Sequence, residues 1–312
     1  PAIKSIAPNM PIRAIFADLA SNDWEKCMTQ MAKLEGVSCS ATVGLANEVI
    51  AVPESIHLAM SLSTLHWMQT LPWGDDQSKL DGAISYVTLK TKPKAMLRQH
   101  ANEHLAGFFA ARQIELVPGG QVVVAFDGET PSTNHQFALT YDLLEKGLKQ
   151  MIADNMLPTQ LLSKYFIPTV SFGKEHIDTM ISKGTCGKVV EYAFLDIPCP
   201  YKLAFDKDKN ATACGKEVGG AIIACVQKQL QSAFLQCNIG VSKHKRLIED
   251  LKNLCEIIAA SNPAKYNTSG ITAFVHLQKP QKRMPNVGLR TACVIGAAIG
   301  VGLAMAMVRA RR

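Results

Sequence analysis

The sequence lacks most of the short motifs that announce a chemistry. It has no Gly-x-Ser-x-Gly elbow, no His-Glu-x-x-His and neither of the usual glycine-rich phosphate loops. Gly119-Gly120 and Gly219-Gly220 are lone pairs without phosphate-loop spacing. Nine cysteines are present, but none forms a Cys-x-x-Cys pair or a Cys/His zinc spacing. Their odd number and wide spacing suit free thiols in a reducing compartment. No signal peptide opens the sequence. No collagen period, heptad run or solenoid repeat is visible. Aromatic residues are scarce, at 6%. Acidic residues are absent from 281–312, where Lys282, Arg283, Arg290, Arg309, Arg311 and Arg312 carry six of the seven net positive charges. The body, residues 1–280, is therefore near neutral and lacks the basic stripe that binding to nucleic acid requires.

What is there is a core. The 312 residues are 47% hydrophobic and 19% charged, which excludes a disordered chain and suffices for one large domain or two smaller ones. Apolar runs predict strands over 12–19, 55–61, 121–126 and 271–277. Helical spacing predicts helices over 24–34, 93–116, 143–156, 217–234 and 243–259. The stretch 117–120 reads as a helix stop and turn, and 186–216 as a loop-rich insertion or cap. Strand–helix alternation with continuous apolar strands predicts an α/β fold with a parallel sheet covered on both faces.

Two places invite a ligand. Asp18 ends the first predicted strand, where an acid either accepts hydrogen bonds from a ribose diol or caps the following helix. His66 and Trp67 follow the strand ending at Ser61. The indole only donates and a neutral imidazole donates from one nitrogen, so the pair suits a carboxylate or carbonyl oxygen. The competing reading makes Trp67 core and His66 a satisfied turn residue. The other seven histidines are scattered and read as structural or exposed.

In order, these pieces resemble the plant-type SABATH carboxyl methyltransferases. Phe16-Ala17-Asp18-Leu19-Ala20-Ser21-Asn22-Asp23-Trp24 is similar to that family's strand running into Asn-Asp-Leu-Pro-x-Asn-Asp-Phe. Ser61-Leu62-Ser63-Thr64-Leu65-His66-Trp67 stands where the family has Ser-Ser-Tyr-Ser-Leu-His-Trp. Residues 108–120, with Arg112, Glu115, Gly119 and Gly120, resemble its Phe-Leu-x-x-Arg-Ala-x-Glu-Leu-x-x-Gly-Gly. Tyr165-Phe166-Ile167-Pro168 and Glu175 resemble a fourth element. The similarity spans about residues 12–278.

The resemblance implies a Rossmann-like class I methyltransferase sheet with a helical cap. It implies S-adenosylmethionine as cofactor and the carboxylate of a small organic acid as acceptor. Carried over, Asp18 holds the cofactor's ribose, Leu19 packs near its adenine, and His66 and Trp67 line the acceptor pocket. No residue is expected to act as a catalytic acid or base.

The departures have consequences. The family's first strand, glycine-rich cofactor loop and carboxylate-binding Gln have no counterpart, so the sequence reads as N-terminally incomplete, with a gap or exposed edge in its sheet. Gly44-Leu45-Ala46-Asn47 replaces a Gly-Ser-Phe-Tyr contact, and Ser63 replaces a pocket Tyr. Leu80, Ser163 and Phe166 occupy positions that ligate magnesium in some members, so no metal is expected there. The expected organisation is a methyltransferase-like domain over 1–280, its cap at about 143–260, and a tail at 281–312. Residues 292–308 are seventeen uncharged residues, about 25 Å as a helix. They read as a C-terminal apolar helix: a tail anchor contacting a membrane through residues 291–308, or a helix packed on the body. Two functions stay open: a carboxyl methyltransferase, inactive if the cofactor loop is missing, or a non-catalytic membrane-associated binding protein. The expected setting is a cytoplasmic body tail-anchored to an intracellular membrane, without nucleic acid, and a homodimer is left open.

Overall fold

The computed structural model describes residues 11–18, 24–74, 76–130, 138–183, 187–266 and 270–281. Leu19 and the tail at 282–312 lie outside the described residues, so neither Leu19's contact nor the apolar tail helix is addressed by them. Among the described residues no helix is long and apolar enough to cross a membrane.

The elements run β1 (Ile12–Asp18), α1 (Trp24–Met31), β2 (Val37–Val43), β3 (Ile56–Leu62), α2 (Thr91–Glu115), β4 (Leu116–Glu129), α3 (Ala138–Ala153) and α4 (Leu161–Lys164). They continue β5 (Phe172–Gly173), α5 (Lys174–Ser182), β6 (Lys188–Ile197), α6 (Pro200–Asp208), α7 (Ala211–Gln236), α8 (Val241–Ser261) and β7 (Gly270–Gln278).

β1 and β2 form a parallel pair, and a five-stranded sheet has the order β3-β4-β7-β6, with β5 also on β4. Among the described residues β1 pairs with β2 alone and β3 with β4 alone, so each sheet presents an edge. Ile15 on β1 and Met60 on β3 are exposed there.

The sheet corrects three expectations. It is mixed rather than parallel, because β7 lies antiparallel between β4 and β6. Residues 186–216 are not a loop-rich insertion: they hold the edge strand β6 and helix α6. An edge strand pairs on one side only, so Lys188, Glu191 and Asp196 are tolerated in it and no clean apolar run marks it. The stretch 117–120 is not a turn ahead of a strand but part of β4, whose pairing with β3 shifts register between Ile56 and Leu58. Gly119 holds φ +82 in this bulge, and a Cβ on Gly120 would lie 2.9 Å from the Val117 carbonyl oxygen and 3.0 Å from that of Ile56.

Two apolar clusters organise the packing. On one, α2 lays Leu97, Ala101, Leu105 and Phe108, one turn apart, onto Val122, Val124 and Phe126 of β4. The other is helical: Leu144, Leu148 and Met151 of α3 meet Val218, Ile222 and Leu230 of α7 and Leu251 and Cys255 of α8. Asn210 caps α7, its side-chain oxygen accepting from the Ala213 N–H at 3.0 Å.

A buried ion pair fastens the β2–β3 connection to α2. Arg112 Nε lies 2.8 Å from Glu115 Oε2, with both side chains 5% exposed or less. Arg112 also donates to the carbonyls of Ala46 (3.3 Å) and Glu48 (2.7 Å). Glu115 Oε1 accepts from the Ile50 and Ala51 N–H groups. Beside the bonds within the pair, one oxygen of Glu115 and two nitrogens of Arg112 thus hold residues 46–51.

Candidate active site

β3 and β4 run parallel, so their carboxyl ends open on the same side of the sheet, where ligands bind in such folds. The chain leaves β3 through Ser63, at φ +59, whose N–H donates to the Ala125 carbonyl at 2.7 Å. Ser61 Oγ and Thr64 Oγ1 share a hydrogen bond of 2.6 Å. This tight exit places Leu65 in the core and His66 and Trp67 against the segment that follows α4. The Val170 N–H donates to the His66 carbonyl (2.9 Å), the Met68 N–H donates to the Pro168 carbonyl (2.7 Å), and Trp67 pairs with Thr169. The tip of β3 is therefore pinned on both sides of Trp67.

His66 is buried, and its Nδ1 accepts from the Asp127 N–H at 3.4 Å, which puts the ring proton on Nε2. Burial pushes its pKa down to about 4, so it is neutral at physiological pH. Trp67 is half-buried against the helical cluster, and its indole N–H has no hydrogen-bond partner among the described residues. Beneath the pair, Asp127 is buried at the end of β4 and accepts from the Ser171 hydroxyl. Burial raises its carboxyl to about 7, despite the Ser171 bond, with Glu129 adding to the rise. Tyr141 of α3 and Thr169 share a hydroxyl hydrogen bond of 2.7 Å.

His66 and Asp127 oppose each other in acid. Asp127 has a folded pKa above its unfolded value, so its stabilising proton is lost as pH rises from about 4 to 7. His66 has a folded pKa below its unfolded value, so its buried neutral ring costs stability as pH falls from 6.5 to about 4. The two slopes cancel across that shared window. Asp127→Asn should therefore lose stability on acidification between pH 6.5 and 4, by up to about 1.4 kcal/mol per pH unit more than the wild type. Urea midpoints measured at half-unit intervals check this; parallel curves for the two proteins would refute it.

Of the residues singled out from sequence, His66 and Trp67 come together at the tip of β3. Asp18 ends β1 on the other sheet, exposed, its carbonyl accepting from the Gly44 N–H at 3.3 Å. Among the described residues no contact joins Asp18 to His66 or Trp67. Sequence reading missed Asp127, although Gln121–Asp127 ends in an acid after a β-branched run, the same signal that drew attention to Asp18. Thr169, Ser171 and Tyr141 carry no such signal. Leu80 is buried, the Ser163 hydroxyl donates to the Gln160 carbonyl, and Phe166 meets Trp73 edge-on. Farther along, Glu129, Glu175 and His176 have donor atoms within 4.8 Å of one another. Arg98 already bridges the two carboxylates, and His176 Nδ1 accepts from the Gly173 N–H at 2.9 Å, so this group is held without an ion.

Residues 3–280 match the profile of the SAM-dependent carboxyl methyltransferases. The chain belongs to that family, the SABATH methyltransferases. It is 23% identical over 265 residues to a jasmonate O-methyltransferase of Arabidopsis thaliana, covering 73% of this chain and 68% of that protein. It is 27% identical over 191 residues to anthranilate O-methyltransferase 2 of Zea mays, covering 58% of this chain and 49% of that one. The structure of a loganic acid methyltransferase with SAH superposes with a TM-score of 0.69 at 16% identity, over 91% of this chain and 78% of that one. This likeness establishes the α/β methyltransferase fold. The family's enzymes are methyltransferases, and their cofactor is S-adenosylmethionine.

The described residues bear on one half of that cofactor by their chemistry alone. An exposed carboxylate at a strand tip only accepts hydrogen bonds, as a ribose diol requires, and Asp18 is such a group. Among the described residues no glycine-rich strand–turn–helix stands between β1 and β3 to receive the amino-acid end.

Proposed function

We propose that the chain is an S-adenosylmethionine-dependent O-methyltransferase domain acting on the carboxylate of a small organic acid. The observation that carries this reading is the Trp67 indole: a half-buried donor, pinned at the tip of β3, that spends its N–H on no protein group among the described residues. A buried indole N–H ordinarily finds a partner, so an acceptor oxygen is the natural one for this donor once a ligand covers it. The neutral His66 beside it adds no positive charge that would bind acids indiscriminately.

In this reading Trp67 orients the acid and His66 lines the pocket, while Asp18 holds the ribose end of the cofactor and Leu19 packs near its adenine. When bound, S-adenosylmethionine supplies an electrophilic methyl group. A carboxylate is already ionised at neutral pH, so the chain needs no general base. Its work is to hold one oxygen in line and exclude water. Transfer of tritiated methyl groups to a panel of small acids tests this; a folded protein that labels none of them refutes it.

Among the described residues the outer edges of β1 and β3 have no partner strand, which favours a second reading, a methyltransferase fold retained for binding without catalysis. Calorimetry with S-adenosylhomocysteine separates the two. Micromolar binding supports the enzyme, and its absence supports the binding protein. The division into a domain over 1–280, with a cap at about 143–260, and a tail over 281–312 belongs to the same proposal. So do a cytoplasmic body tethered to an intracellular membrane by residues 291–308, and a homodimer. Flotation with liposomes and light scattering test the last two.

A further inference from the structure

Beside α3 lies a cavity of about 400 Å³ whose wall includes Asp142, Glu145, Lys146, Lys149 and Lys265. Among the described residues that line it, none is Asp18, His66 or Trp67. The charges on this wall do not balance. Three lysines stand against two acids, an excess of one positive charge. The stretches 131–137 and 267–269, which adjoin Ala138 and Lys265 in the chain, contain no Asp or Glu to cancel it.

The excess has a definite place. Lys149 is paired with Glu145 at 2.6 Å. Lys146 and Lys265 instead share one oxygen, Asp142 Oδ2, at 3.0 and 2.8 Å. One carboxylate neutralises one ammonium, so the second keeps its charge. Both ammonium groups also lie over the ring of buried Tyr266, 5.8 and 5.2 Å from its centre, and the Tyr266 hydroxyl accepts from Lys146 at 3.2 Å. The two cations are thus held side by side. Each ammonium has three donors, and two like charges in one place repel until a further anion joins them.

Two other parts of the wall point to a ligand. Ser85 is fully buried, and its Oγ has no hydrogen-bond partner, a costly state for a hydroxyl. Val87 and Leu139, packed against the helical cluster, give the cavity an apolar side.

We propose that this cavity is an anion-binding site, separate from the acceptor end at Trp67. Its ligand is a small organic anion whose phosphate or carboxylate lies between Lys146 and Lys265 and whose apolar body rests on Val87 and Leu139. The site does not depend on the chain being an active methyltransferase.

Calorimetry on the full chain with phenyl phosphate tests this. The wild type should bind it about tenfold more tightly than inorganic phosphate, because only the former carries an apolar body, and more weakly as salt rises. Lys146→Met and Lys265→Met keep an apolar stem and should each weaken binding by about tenfold. Asp142→Asn should act in the opposite direction and tighten it by about threefold or more, since it frees both ammonium groups. Lysines that served only as structural ion pairs would give no such gain. Melting curves check that each variant is folded. Benzoate, measured in Trp67→Phe with and without Lys265→Met, shows which head groups the site takes: a loss of affinity with Lys265→Met adds carboxylates to phosphates. Phenyl phosphate bound equally well by the wild type and both lysine variants, or no more tightly by Asp142→Asn, overturns the proposal, as does a folded wild type that binds neither anion.

Discussion

Trp67→Phe is expected to lower kcat/KM for every acid acceptor by about 10- to 100-fold, the range for one hydrogen bond to a charged group. Phe keeps a flat ring against the helical cluster and deletes only the donor. Folding is therefore expected to change little, which a melting curve checks alongside the rate. The paired change, Trp67→Ala, also removes buried apolar surface and should cost stability as well as transfer. Because the indole N–H bonds no described residue, a rate loss in a Phe variant of unchanged stability points to a lost contact to the acceptor. Transfer by Trp67→Phe at the wild-type rate would end the assignment.

The second large effect lies away from the chemistry. Arg112→Met leaves the Glu115 carboxylate buried without its guanidinium, at an expected cost of about 3–5 kcal/mol. It also releases the carbonyls of Ala46 and Glu48, and with them the β2–β3 connection held on α2. Chemical denaturation should show the loss directly, and binding of S-adenosylhomocysteine should weaken with it. Arg112→Met/Glu115→Leu should recover much of the stability, since an apolar pair replaces the ion pair without leaving a lone charge. A single variant as stable as the wild type would show that the pair holds nothing in place.

These two sites differ in how visible they are before folding. The His66-Trp67 dipeptide is conspicuous because both residue types are rare and adjacent, at the end of an apolar run. Arg112 and Glu115 look like ordinary helix charges at i, i+3. Only packing takes them out of water and turns them into a clamp on a loop more than sixty residues earlier in the chain. Asp127 is legible as an acid at a strand end. Its raised pKa is not, because desolvation depends on which elements close over it.

The same division runs through the fold. Strands β3, β4 and β7 and helices α2, α7 and α8 follow from apolar periodicity, because each presents a continuous face to one core. β2, with Ser38, Ser40 and Thr42 in a two-stranded sheet, and the charged edge strand β6 escape it because each is half solvated. The antiparallel insertion of β7 between β4 and β6 has no local signature at all. By itself the sequence determined the residue types at the strand tips, the neutral body with its basic tail, and the ordered motifs that carry the family. Tertiary structure alone decided which strands pair and which charges are buried, and it gathered His66, Trp67, Asp127 and Thr169 into one site. Pairing and desolvation are set by segments distant in the chain, and no local pattern encodes the partner.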